Sequence, residues 1–126
     1  MNECIFCKIV EGEVPSKKIY EDKKVLAFLD INPISAGHIL VVPKKHSSDV
    51  FEISEKEMGD IGKVIKIVST RVKEILKPDG IYIRQNNGEA AGQVVFHYHA
   101  HIVPVYDSSK NLSLDEVEDL LAIKES

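Results

Sequence analysis

Internal repeats, low-complexity tracts and membrane-length apolar runs are all missing from this chain of 126 residues. Apolar runs such as Val25-Leu26-Ala27-Phe28-Leu29 and Ile39-Leu40-Val41-Val42 fall far short of the ~20 residues needed to cross a bilayer. There are only two cysteines, which excludes a disulfide-dense scaffold. Excess positive charge is missing too: 16 Lys and Arg stand against 20 Asp and Glu, for a net charge of −4. The basic residues are dispersed, so no long footprint for a nucleic-acid polymer is expected. One small phosphate ligand needs only a few local donors and stays open. Met1-Asn2-Glu3-Cys4 has neither a basic segment nor a signal-type apolar core. A cytoplasmic protein with reduced thiols is therefore expected.

What is present is the composition of one folded unit. Hydrophobic residues make up 44% of the chain, enough for a core and too many for disorder. The length fits a single domain over 1–126. Residues 4–11 read as a short helical turn, broken by Gly12 and Pro15. Lys17–Glu21, Val25–Leu29 and His38–Val42 read as strands. Asp30–Gly37 carries loop signals, with Asn32 before Pro33 and then a glycine. A long helix starts at Ser54, where Glu57 completes a capping box and Ile53 and Met58 are placed as a hydrophobic staple. Met58, Ile61, Ile65, Val68, Val72, Ile75 and Leu76 recur at spacings of three and four, so one stripe faces a core. Pro78-Asp79-Gly80 stops it. Ile81–Arg84 reads as a fourth strand, Gln85–Gln93 as a loop and Val94–Val105 as a fifth strand. Ser113 with Glu116 caps a last helix running to about Ile123. Helices do not alternate with strands. The expected class is therefore α+β: an antiparallel sheet of about five strands, one long helix and short terminal helices.

Three of the five histidines alternate in Phe96-His97-Tyr98-His99-Ala100-His101-Ile102. On a strand, alternate side chains share a face. His97, His99 and His101 would then line one face, with Phe96, Tyr98 and Ala100 on the other. Imidazole is the side chain that serves as nucleophile, acid, base or metal ligand near neutral pH. Two histidines at i and i+2 also suit a catalytic zinc site. Cys4-x-x-Cys7 is open between zinc, redox chemistry and neither. No strand precedes it, as a thioredoxin-like motif would require. Two cysteines alone cannot complete a structural zinc site, so two histidines would have to. The loop Gln85-Asn86-Asn87-Gly88-Glu89-Ala90-Ala91-Gly92-Gln93 offers amides and close backbone approach for an anion.

These residues resemble the histidine-triad family, whose signature is His-φ-His-φ-His-φ-φ with φ apolar. Here it is His97-Tyr98-His99-Ala100-His101-Ile102-Val103. The likeness also covers Phe28-Leu29-Asp30-Ile31-Asn32-Pro33, Gly37-His38, Val42-Pro43-Lys44-Lys45-His46 and Gln85-Asn86-Asn87-Gly88. It runs from Cys4 to about Tyr106, some four-fifths of the chain. The nearest branch is similar to the purine nucleoside phosphoramidases, which cleave nucleotides joined through the α-phosphate to an amine or another group.

The resemblance implies a HIT-like fold, a homodimer and a purine, AMP-like substrate. It implies His99 as nucleophile, forming a nucleotidyl-histidine that water cleaves. His101 would bind phosphate and help pass a proton, with His38 and His97 completing the catalytic histidines. Asp30 would hold the ribose hydroxyls, Leu29 and Ile31 would pack around the base, and Asn86 and Gln93 would hold phosphate oxygens. Cys4, Cys7, His46 and His97 would hold a structural zinc ion. Two departures stand out. Val94 occupies a position that is often Ser or Thr in the phosphoramidases, and residues 107–126 do not match the family pattern. Rival readings are a dinucleoside polyphosphate hydrolase on the same pocket, a nucleotide-binding regulatory module with little catalysis, and a hydrolase with catalytic zinc.

Overall fold

The computed structural model describes residues 3–123. The expectations of one domain over 1–126 and of an N-terminus free of a signal fall partly on residues 1, 2 and 124–126, outside the described residues. The elements in chain order are helix α1 (Ile5–Val10), strands β1 (Lys18–Glu21), β2 (Val25–Leu29) and β3 (Ile39–Pro43), helix α2 (Glu55–Leu76), strand β4 (Gly80–Arg84), strand β5 (Ala100–Val105) and helix α3 (Leu114–Leu121). A single 3₁₀ turn at Glu89–Ala91 lies between β4 and β5. The strands form one antiparallel sheet in the order β1-β2-β3-β5-β4. This is the α+β sheet that the order of elements predicts.

Every residue of β2 and β3 is buried, because both faces of the sheet are covered. Val25, Ala27, Leu29, Ile39 and Val41 point to one face and meet the α2 stripe Ile61, Val64, Val68, Val72 and Leu76. Leu26, Phe28, Leu40 and Val42 point to the other and meet Phe6 and Ile9 of α1. Burying a side chain of this kind stabilises the fold by roughly 1.5–3 kcal/mol. The helix stripe matches the sequence reading, with Val64 added and Met58, Ile65 and Ile75 at its half-buried margin. Ser54 caps α2 by accepting from the Glu57 N–H, while its own hydroxyl donates to the Glu57 carboxylate. Ser113 forms the full reciprocal box with Glu116. The segment after Asp107 belongs to the same core, for α3 inserts Val117 and Leu121 into it. Arg71 of α2 ties the end of α3 through the Leu121 carbonyl.

One expectation needs correcting. The strand read over Val94–Val105 begins only at Ala100. The β3–β5 ladder pairs Ile39–Val41 with Ala100–Ile102, and residues 94–99 run alongside the loop that follows β3. There the Tyr98 N–H donates to the Ser47 carbonyl at 2.6 Å. Their β-forming composition has no partner strand to satisfy.

Candidate active site

The histidine-bearing segment ends on the α1 side of the sheet, beside a cavity of about 610 Å³. Its apolar lining comes from Phe6, Ile9, Val14, Pro15, Phe28 and Leu40, and its polar lining from Ser16, Asp30, Asn32, Arg84, Asn86, His99 and His101. The cleft is thus amphipathic, with apolar side chains that suit a flat body and polar groups beside them.

Hydrogen-bond partners fix the imidazole tautomers. His99 Nδ1 lies 2.8 Å from the His97 carbonyl oxygen. A carbonyl only accepts, so the proton is on Nδ1 and Nε2 keeps its lone pair. Burial pushes the His99 pKa below the ordinary imidazole value, so the ring is neutral at pH 7. A neutral ring with one bare nitrogen is what a covalent nucleophile requires. His38 is fixed by a different donor: the Ile34 backbone N–H donates to His38 Nδ1 at 3.1 Å. The His38 proton is therefore on Nε2, which lies 2.9 Å from His101 Nδ1. His38 donates, His101 accepts, and the neutral His101 presents N–H at Nε2. Burial, followed by the neighbouring His99 and His38, pushes the His101 pKa down to about 4. Asp30 Oδ2 stands 3.6 Å from His38 Nε2, and Asp30 Oδ1 accepts from the Asn32 N–H at 2.8 Å. Asp30, His38 and His101 converge closely enough to hold a cation, but the Ile34 bond leaves His38 Nε2 without a lone pair. His38 and His101 are thus a hydrogen-bonded pair, with the Asp30 carboxylate beside them.

A second cluster sits where α1 meets the histidine segment. His97 Nδ1 lies 3.4 Å from both Cys4 Sγ and Cys7 Sγ, and Cys7 Sγ lies 3.3 Å from His46 Nδ1. The four donor atoms are all within 4.8 Å of one another. Tetrahedral zinc with two thiolates and two imidazoles sets S···N separations of roughly 3.5 Å. The His97 Nε2–H donates to the Pro43 carbonyl at 2.7 Å, which bares Nδ1 toward the sulfurs as a ligating histidine needs. The residues fit a closed four-ligand metal site.

Phe6 lies on the turn between the two cysteines and touches both clusters. Its ring is 6.0 Å from the His97 ring and 5.0 Å, edge-on, from the His99 ring. The sequence reading of the histidines is therefore only partly met. His99 and His101 share the cleft, their rings 5.1 Å apart. His97 is fully buried in the cysteine cluster, and His38 is buried behind His101; neither lines the cavity. Asp30, Leu29, Ile31 and Asn86 do line it, although the Leu29 side chain belongs to the core on the α2 face. Gln93 does not. Its carbonyl accepts from the Gly88 N–H, and its amide donates to the Ser48 and Val95 carbonyls, so it braces the loop. Arg84, Phe6 and Ser16 line the cleft without having been singled out in the sequence. Arg84 had a readable signal, since it ends β4 directly before the Gln-Asn-Asn-Gly loop. Phe6 and Ser16 had none.

An antiparallel α+β sheet with a buried imidazole cluster at the mouth of one face defines the histidine-triad class. The chain belongs to the HIT domain family, whose model matches residues 11–108. It is 46% identical over 103 residues to "Protein hit" of Bacillus subtilis, covering 82% of this chain and 71% of that protein. It is 40% identical over 119 residues to the adenosine 5'-monophosphoramidase HNT1 of Candida albicans, covering 88% of this chain and 76% of that protein. Among solved structures it resembles a Zn-bound histidine triad family protein from Mycobacterium smegmatis. The TM-score is 0.88 at 36% identity, over 94% of this chain and 90% of that one.

Proposed function

We propose that this protein hydrolyses nucleoside 5′-phosphoramidates, or related conjugates of AMP, at the α-phosphorus through a nucleotidyl-His99 intermediate. The observation that carries this reading is the bare Nε2 of a neutral His99 held in a cleft lined by apolar side chains and by Arg84 and Asn86. The base enters the slot between Phe6, Ile9 and Phe28, flanked by Ile31, and Asp30 takes the ribose hydroxyls. Arg84 and Asn86 hold phosphoryl oxygens, where charge neutralisation and positioning dominate catalysis. His99 Nε2 attacks phosphorus. The leaving nitrogen takes the electron pair of the P–N bond and a proton passed from solvent through His101, which keeps its own count of protons. Water then adds to phosphorus and gives up a proton by the same route while the P–Nε2 bond breaks. The products are AMP and the free amine.

Cys4, Cys7, His46 and His97 would hold one zinc ion, a closed cross-link between α1 and the histidine segment with no open position for water. This reading favours structural over catalytic metal, because His99 and His101 lie outside the four-ligand cluster. Two copies would pair through the outer edge of β4, where Tyr82 and Ile83 are half exposed.

The test is turnover of AMP joined to a simple amine, with acid quenching to trap the protein-bound nucleotide. Wild type is expected to release AMP and amine and to carry label on His99. His99→Ala is expected to lose at least about a thousandfold in kcat, as removal of a covalent nucleophile does. Equal turnover by the two proteins, or none by wild type, defeats the reading. A dinucleoside polyphosphate run in parallel ranks the rival leaving group.

A further inference from the structure

One polar side chain of the cleft lining is Ser16, on the segment that follows α1 after Val14 and Pro15. Its hydroxyl is buried from solvent and has no hydrogen-bond partner. Among the described residues only Ser69, which lies on α2, shares that condition. A buried hydroxyl without a partner costs free energy in the empty protein. Such a group in a native fold calls for an explanation.

Around it Phe6, Ile9, Val14 and Phe28 present carbon to the cleft. The neighbouring polar side chain is Asp30, brought beside Ser16 by the β1–β2 pairing, in which the Leu29 N–H donates to the Lys17 carbonyl, and its carboxylate is the group read above as holding the ribose. A heteroaromatic ring sliding into the slot would stack well on these apolar side chains. Its edge nitrogens, amino or keto groups would be stripped of water and need a partner. Serine has a single short side chain and three staggered rotamers, so its hydroxyl turns at little cost. One turn would satisfy both groups at once: the orphan hydroxyl gains a partner and the ring edge keeps its hydrogen bond.

We propose that Ser16 reads the polar edge of the nucleobase, acting as a specificity residue for a heteroaromatic base with a hydrogen-bonding edge. The proposal rests on the cleft binding a nucleotide. A bond formed in the complex to a group left unpaired in the empty protein contributes wholly to binding. Stability of the empty protein and affinity for the base therefore shift in opposite directions when the hydroxyl is deleted.

The experiment compares wild type, Ser16→Ala and Ser16→Thr, using binding of AMP and of ribose 5-phosphate by calorimetry, with the melting temperature of each ligand-free protein. Ser16→Ala is expected to melt at or above wild type while binding AMP about tenfold more weakly, the loss of roughly one hydrogen bond. Its affinity for ribose 5-phosphate is expected to be unchanged, and Ser16→Thr is expected to keep most of the AMP affinity. A lower melting temperature in Ser16→Ala would give the hydroxyl a structural role and overturn the proposal. So would an unchanged AMP affinity, or equal weakening toward both ligands. If wild type fails to bind AMP, the nucleotide reading itself falls, which is a distinct result.

Discussion

At the scale of single residues, a few backbone groups govern the chemistry. The Ile34 N–H and the His97 carbonyl set where three imidazole protons reside, and neither belongs to a reactive side chain. Gly37 is what brings His38 into register. Its φ is +90, and a Cβ there would stand 2.8 Å from Leu76 Cδ1 and 3.2 Å from Pro104 Cγ. Gly37→Ala meets both a strained backbone and a packed wall, and is expected to destabilise by roughly 1–3 kcal/mol in urea denaturation. His101 makes a pH prediction. Its folded pKa is about 4, against about 6.5 in an unfolded chain. Between those values the unfolded chain binds the extra proton and the folded one does not. Stability therefore falls as pH drops from about 6.5 toward 4. Buried His38, also shifted down, adds to the slope. His101→Gln is expected to flatten the pH dependence of the denaturation midpoint across that window.

At the scale of elements, local chemistry was legible wherever it was decided locally. The α2 stripe, its Ser54 cap and the Ser113 box follow from spacing, and β2 lies where its apolar run puts it. The fifth strand was overread because alternation of side chains is a local signal and a ladder is not. Residues 94–99 have strand-forming side chains but run past the end of β3, where only isolated bonds such as Tyr98 to Ser47 are available. The same limit hid the separation of His97 from His99 and His101. The cysteines that draw His97 away are some ninety residues distant in the chain. The end of α2 bears a further prediction. Lys77 is left-handed, with φ 53, a conformation that costs a residue with a Cβ about 1–2 kcal/mol. Glycine adopts it freely but loses more entropy on folding. Lys77→Gly is therefore expected to stabilise by a net of about 0.5 kcal/mol, read from the thermal midpoint.

At the scale of the whole molecule, the two faces of the sheet have different jobs. The α2 face carries the larger core and extends to α3. The α1 face is thinner and is pinned by the cysteine–histidine cluster. Stripping a bound metal with a chelator, or Cys4→Ser, is expected to lower the melting temperature. Amide exchange should then accelerate in α1 and residues 94–99, while β2, β3 and α2 stay protected. Uniform loss of protection would mean that the cluster supports the whole core. The outer edge of β4, with Tyr82 at 40% and Ile83 at 47% exposure, gives a test of pairing. Light scattering is expected to report twice the chain mass for wild type and one chain mass for Ile83→Lys.

His97 divides its work between two parts of one residue. Its ring faces the thiols, while its peptide oxygen steers the neighbouring imidazole. Any amino acid supplies a peptide oxygen. Descendants that shed the cysteines could replace His97 outright and still hold the His99 proton on Nδ1, provided other packing kept that stretch of chain in place.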